Sequence, residues 1–325
     1  MPSEKLANAE DAPRSAASIP PAPASGRPSA GNLGQFRNFA LATACLALAF
    51  GKPLYSLVQF AARSDLYSYI LLIPFVSAYL VWLKKHELLR ASRPIRLLAV
   101  FPGSIGLAAL ACYAWAVHGG TSPVEADGLA LAIFSFFSLL TGAACLFLGR
   151  ELLRAFVFPI SFLIFVVPIP GFLMDGIEIF LQHGSAAVAH ALFTLSGTPF
   201  AREGLVFQLP GIPIRVAPEC SGIHSTLILF ITSLLAGHLF LRTPWKRTVL
   251  ALAVIPLALI RNGLRIFTIG ELCVHVGPEM INSAIHRHGG PWFFAGSLVP
   301  FFLLLFVLQK SDRTRDGTRP KNPEV

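Results

Sequence analysis

Charge is scarce in this sequence. Only 13% of its 325 residues are Asp, Glu, Lys or Arg, against roughly 25% in a soluble globular protein. That is too little to cover a water-exposed surface. Hydrophobic residues make up 54% and the mean hydropathy is +0.64. An ordinary soluble enzyme and a disordered chain are both excluded. Cysteine is sparse and unpaired. The five (Cys45, Cys112, Cys145, Cys220, Cys273) are odd in number, scattered, and form no C-x-x-C pair, which excludes a secreted disulfide scaffold. Three lie in apolar runs, where cysteine is usually a small packing residue. No period of 20–50 residues repeats, no H-E-x-x-H motif occurs, and no apolar h-region lies near the start, so an ordinary cleaved signal peptide is not expected. What remains is an all-α integral membrane protein.

Residues 1–35 are rich in Pro, Ala, Ser and Gly and read as a disordered tail. Residues 36–310 read as the transmembrane domain and 311–325 as a basic tail. Eight apolar runs, at about 39–58, 67–83, 97–117, 128–148, 153–170, 221–241, 247–268 and 291–309, approach the roughly 20 residues that cross about 30 Å of hydrocarbon. The first is interrupted by Gly51-Lys52-Pro53. A further stretch, 176–195, carries Glu178, Gln182, His183 and His190 and reads as an interfacial helix. Residues 204–220 have β-type residues with Gly and Pro, and predict a short hairpin or extended segment over the outer surface.

Loop charge tests this map. With eight spans and the N-terminus inside, the inner segments gather 19 Lys and Arg and the outer ones four: Arg63, Arg202, Arg215 and Arg287. Were 176–195 also to span, eight cations would move outside. The net charge of +9 is thus accounted for by topology, and nucleic acid needs no place. Both termini are expected in the cytoplasm, in the inner membrane, with residues 171–220 on the outer side among lipid headgroups.

Polar residues at spans are costly and mark function. Three clusters stand out: Glu219-Cys220-Ser221-Gly222-Ile223-His224-Ser225 where span six begins, Arg261-Asn262-Gly263-Leu264-Arg265 where span seven ends, and His286-Arg287-His288-Gly289-Gly290 before span eight. Span seven leaves the inner surface near Lys246, so Arg265 lies roughly 28 Å further on, at the outer interface. All three clusters therefore share one leaflet. Cys220 at a helix start is favoured as a thiolate, more so beside an arginine. Asn262 and Arg265, at i and i+3, share a face. Taken alone, Arg265 reads equally as an arginine that snorkels to headgroups; Arg261, on the same face at i and i+4, is the other candidate for that role. His286 and His288 also read as ordinary loop histidines. Cys273 and His275 read as structural.

These three clusters resemble the signature blocks of the exosortase/archaeosortase family, multi-spanning membrane cysteine transpeptidases. The Cys-Ser-Gly block falls on Cys220, Ser221 and Gly222 with Ser225, the Asn-x-x-Arg block on Asn262 and Arg265, and the His-x-x-x-Gly block on His286 and Gly290. The segment beginning Asp65-Leu66-Tyr67 resembles the family's early block, although Tyr69 stands where the family often has a histidine. The resemblance covers roughly 40–310. It implies a protease or transpeptidase whose partners are exported proteins with a C-terminal sorting signal: a Pro-Glu-Pro-like motif, a transmembrane helix and a basic tail. It implies Cys220, Arg265 and His286 as catalytic, Asn262, Ser221, Gly222, Ser225 and Gly290 as binding or supporting, and no cofactor. Hydrolysis and transfer to an acceptor nucleophile use the same three residues. Two other readings stand beside this one. Cys220, His224, His286 and His288 have the chemistry to hold zinc in a metal-dependent membrane enzyme. A transporter or passive scaffold is the other, although transporters place polar groups near the midplane.

Overall fold

The computed structural model describes residues 30–85, 96–118, 125–148, 150–217, 221–282 and 290–317. Among the described residues, ten α-helices and one small sheet run in the order α1 (Ala30–Ala49), α2 (Gly51–Arg63), α3 (Ile73–Leu83), α4 (Arg96–His118), α5 (Glu125–Phe147), α6 (Arg150–Phe162), α7 (Gly171–Ser196), β1 (Ala201–Glu203), β2 (Val206–Leu209), β3 (Ile212–Arg215), α8 (Ile223–Phe240), α9 (Pro244–His275) and α10 (Gly290–Gly317). The chain is an all-α integral membrane protein with a small antiparallel sheet.

Among the described residues, α4, α5, α8, α9 and α10 are each long and apolar enough to cross a membrane. The number rises to seven if each of two bent helix pairs is one span, so the eight expected spans are not reached. The reasons are local. The first run bends by 72° between α1 and α2, where Gly51-Lys52-Pro53 interrupts it. The second yields only the helical stretch Ser68–Leu83, about 24 Å long. The fifth stops at Pro168 and Pro170, and the chain turns by 90° into α7.

The stretch 176–195 lies within α7, which packs beside α9, with Gly184 against Leu259 and Val188 against Gly263. Small residues allow this. In lipid, helices gain by close van der Waals approach rather than by leaving water, and α7 buries Ser185, Ala186 and Ala189 on this face. At Gly263 even a methyl group would collide with Val188. The expected hairpin is a three-stranded meander in the order β1-β2-β3. It packs Phe207, Leu209 and Ile214 against Phe193 of α7 and Ile266, Ile269 and Cys273 of α9. Cys273 is thus a packing residue, while His275 is exposed and pairs with Glu271 at 3.2 Å.

The proline inside α6 has a compensation. Pro159 in α6 has no N–H, which leaves the Ala155 carbonyl without its helical donor. Lys84 Nζ donates to that carbonyl at 3.0 Å, and Ser77 Oγ donates to the Pro159 carbonyl at 2.8 Å. Backbone acceptors in lipid need such partners, since no water reaches them.

α9 is the central stave, packed on α7, α8 and α10. Leu229 and Ala236 of α8, Leu250 and Val254 of α9, and Phe301 and Leu305 of α10 form one buried cluster. Its lower end is fastened by charge. Lys246 Nζ lies 2.8 Å from Asp312 Oδ1, with side chains only 2% and 6% exposed. Thr243 Oγ1 donates to the same oxygen at 2.6 Å and the Arg242 N–H to Oδ2 at 3.0 Å. The carboxylate thus ties the α8–α9 turn to α10. Asp312→Ala should cost about 3–5 kcal/mol, the usual penalty for stranding one member of a buried pair. Thermal unfolding in detergent should show a lower midpoint, and Lys246→Met added to Asp312→Ala should restore most of the loss.

Candidate functional site

The site is built on the turn that opens α8. Gly222 is its N-cap residue, with φ +71°, a left-handed conformation that costs other residues roughly 1–2 kcal/mol. No side chain caps the helix from Gly222, but the Ile223 N–H donates to Ser221 Oγ at 3.4 Å. The Gly222 carbonyl gathers four donors: Thr226 N–H at 3.0 Å, Thr226 Oγ1 at 2.8 Å, Ser225 Oγ at 3.0 Å and Arg261 Nη2 at 3.2 Å. Arg261 Nη2 also donates to Thr226 Oγ1 at 3.1 Å.

α9 supplies that guanidinium. Arg261 is 7% exposed and Asn262 3%. Sequence spacing allowed Arg261 to snorkel; the structure turns it inward, under the α8 turn. A side chain added at Gly222 would meet Arg261 Nη2 at 3.1 Å and Asn262 Oδ1 at 3.4 Å. The arginine–asparagine pair therefore closes the space beneath the turn, and glycine is needed for both its φ and its lack of bulk.

Above this floor opens a cavity of about 720 Å³. Gly222, His224 and Ser225 of the first cluster line it, with Arg265 of the second and Gly290 of the third. Phe294 of α10, Met174 and Glu178 of α7, and Asp65 and Leu66 of the early block complete the lining. Three clusters separate in sequence thus share one chamber, together with the first residues of a fourth. Ser221, 2% exposed, and Asn262 lie beneath it rather than on its wall. Cys220, His286 and His288 lie outside the described residues.

Electrostatics follow from this placement. Arg261 and Arg265, one turn apart on α9, flank the start of α8. A helix N-terminus carries partial positive charge, so two guanidinium groups beside it make the place suited to an anion. A thiolate there is stabilised, and so is an oxyanion. Glu178 and Asp65 bring negative charge to other parts of the lining. His224 Nε2 is buried without a hydrogen-bond partner among the described residues. Among those residues no three or more His, Cys, Asp and Glu side chains gather in a metal-binding arrangement. Of the zinc alternative's four residues, only His224 is described.

Three members of the site were missed by spacing alone. Arg261 shares a helical face with Arg265, but periodicity does not say what the neighbouring helix offers, so its place under the α8 turn was not legible. Thr226 had a signal, a hydroxyl at i+4 from Gly222. Glu178 was visible as a polar residue on an apolar helix, but nothing in the sequence linked α7 to α9.

The fold and cavity define a class first: a helical membrane protein with a largely apolar chamber that carries an arginine, a histidine and two carboxylates, lined by α7, α8, α9 and α10. The particular family follows from comparison. The transmembrane exosortase family model matches residues 59–303, three quarters of the chain, and the chain belongs to that family. No curated protein and no solved structure matches it.

The floor of the site predicts a stability effect. Gly222→Ala forces both a strained φ and a contact with Arg261, and should lower stability by about 1–2 kcal/mol. The check is the unfolding midpoint in detergent beside that of wild type, with Gly204→Ala as a control for φ alone, since that glycine has φ +61° and open space around it.

Proposed function

We propose that this protein is a membrane cysteine protease or transpeptidase that cleaves the C-terminal sorting signals of exported proteins at the outer membrane–water interface. Family membership supports a membrane transpeptidase acting on sorting signals. The observation that carries the finer reading is the shared cavity: Gly222, Ser225, Arg265 and Gly290, from three separate motifs, line one chamber.

The orientation rests on the charge bias of 19 inner against four outer Lys and Arg. With that bias, both termini lie on the cytoplasmic side of the inner membrane. The cavity then opens outward, where a sorting motif emerges from its own transmembrane helix.

The chemistry assigns each residue a role. Cys220, as a thiolate favoured by the α8 terminus and the arginines, attacks the scissile carbonyl. Arg265 stabilises the oxyanion, joined by backbone N–H groups of the α8 start. His286 donates a proton to the leaving amine as the C–N bond breaks and a thioester forms. Water or an acceptor nucleophile then attacks the thioester, gives its proton to His286, and frees the Cys220 thiolate. Asn262 orients Arg265. Ser221 and Ser225 support the turn rather than react, in keeping with their bonds to its backbone.

Cys220→Ala should abolish processing of a reporter ending in Pro-Glu-Pro, an apolar helix and an arginine cluster, while the variant still inserts. Arg265→Lys keeps the charge but loses the planar fork, and processing should fall by about 10²-fold. Immunoblots of the reporter read both results. Unchanged processing by Cys220→Ala contradicts the mechanism.

A further inference from the structure

A second cavity, about 360 Å³ in volume, lies between α9 and α10. It is a groove with apolar walls. Leu257, Ile260 and Leu264 form one wall, and Trp292, Gly296 and Pro300 the other. The spacing on each side is helical, so the groove follows both helices for roughly 12 Å. Trp292 is 81% exposed and Ile260 48%; the groove opens sideways, toward lipid rather than water. At Gly296 an added Cβ would meet nothing within 4 Å. The notch there is unfilled by the protein itself.

A lipid tail would satisfy apolar walls, but the floor asks for more. Arg261 lines the groove, and its Nη1 is buried without a hydrogen-bond partner among the described residues. A buried donor with no acceptor is costly and rare, and at a guanidinium more so. The same arginine holds the Gly222 carbonyl through Nη2 and packs 5.9 Å from the Phe294 ring. Phe294 in turn lines the site cavity. Groove and site therefore share one partition, made of Arg261 and Phe294. From this partition the groove leads away along α9 toward Leu257 and along α10 toward Pro300. In the proposed orientation that direction is inward, into the bilayer.

We propose that this groove seats the transmembrane helix of the substrate's sorting signal, with a carbonyl or carboxylate oxygen at the outer end of that helix accepting from Arg261 Nη1. The inference rests on the proposed function. A chain cut at the chamber must continue into the membrane beside it, and the groove begins at the chamber's wall. Gly296 and Ser297 offer the small surface that lets two helices approach closely. Arg261 then contacts the seated helix on one side and the active-site turn on the other, so a seated substrate completes the hydrogen bonding under that turn.

Two experiments test the groove. Gly296→Leu places a side chain in the notch, where its Cβ meets no protein atom within 4 Å. With a reporter carrying Pro-Glu-Pro, an apolar helix and an arginine cluster, its KM should rise at least tenfold. An unchanged KM would overturn the proposal. Independently, a photo-crosslinker in place of Ile260 in the full-length membrane protein should capture the reporter's transmembrane segment. Adducts with lipid alone, and none with the reporter, would overturn it too and make the groove a lipid site. Failure of the cysteine mechanism looks different: Cys220→Ala would then process the reporter while the groove still crosslinked to it.

Discussion

A single buried guanidinium holds this site together. Arg261 donates to the Gly222 carbonyl and to Thr226, and so ties the start of α8 to the outer half of α9. In lipid a buried guanidinium without acceptors is costly, and the Gly222 carbonyl and Thr226 hydroxyl supply them here. Gly222 has room for this only because it lacks a side chain and adopts a left-handed φ. The turn that follows Cys220 in sequence is therefore fixed from below, and the cavity above it keeps its shape. A lysine has neither the planar fork nor the two-sided reach of this arginine.

The rest of the fold sets the height and angle of that contact. α9 is fixed at its lower end by the Lys246–Asp312 pair and along its upper half by α7, which approaches closely at Gly263. The sheet closes over the far ends of α7 and α9 through Phe193 and Phe207. α10 is held to the same stave by Phe301 and Leu305. Arg265 thus projects into the chamber from a helix supported on several sides. That rigidity is what an oxyanion contact requires, since its value lies in being in place before charge develops.

Much of this was legible in the sequence. The shortage of charge identified a membrane protein, and each of the eight apolar runs is mostly helical. The three polar clusters were placed in one leaflet by counting residues from Lys246, and Gly222, His224, Ser225, Arg265 and Gly290 from them line one cavity. What was not legible has physical reasons. The span count failed where Gly51-Lys52-Pro53 and the prolines after α6 bend the chain, because hydropathy measures apolar length and not direction. The mixed polarity of 176–195 does not disclose its packing partner: Gly184, Ser185 and Ala189 lie on the face that fits closely against α9. Arg261 was a candidate for snorkelling because periodicity names a face without naming what faces it.

The proposed chemistry requires Cys220 to form a covalent bond to the cut substrate. Mass spectrometry of the Cys220 peptide, after wild-type protein is mixed with a sorting-signal reporter and quenched in acid, reads that bond. The expected adduct joins the reporter's N-terminal part to Cys220 as a thioester, which neutral hydroxylamine releases. Reporter cleavage by wild-type protein with Cys220 unmodified, or with the adduct on another residue, would contradict it.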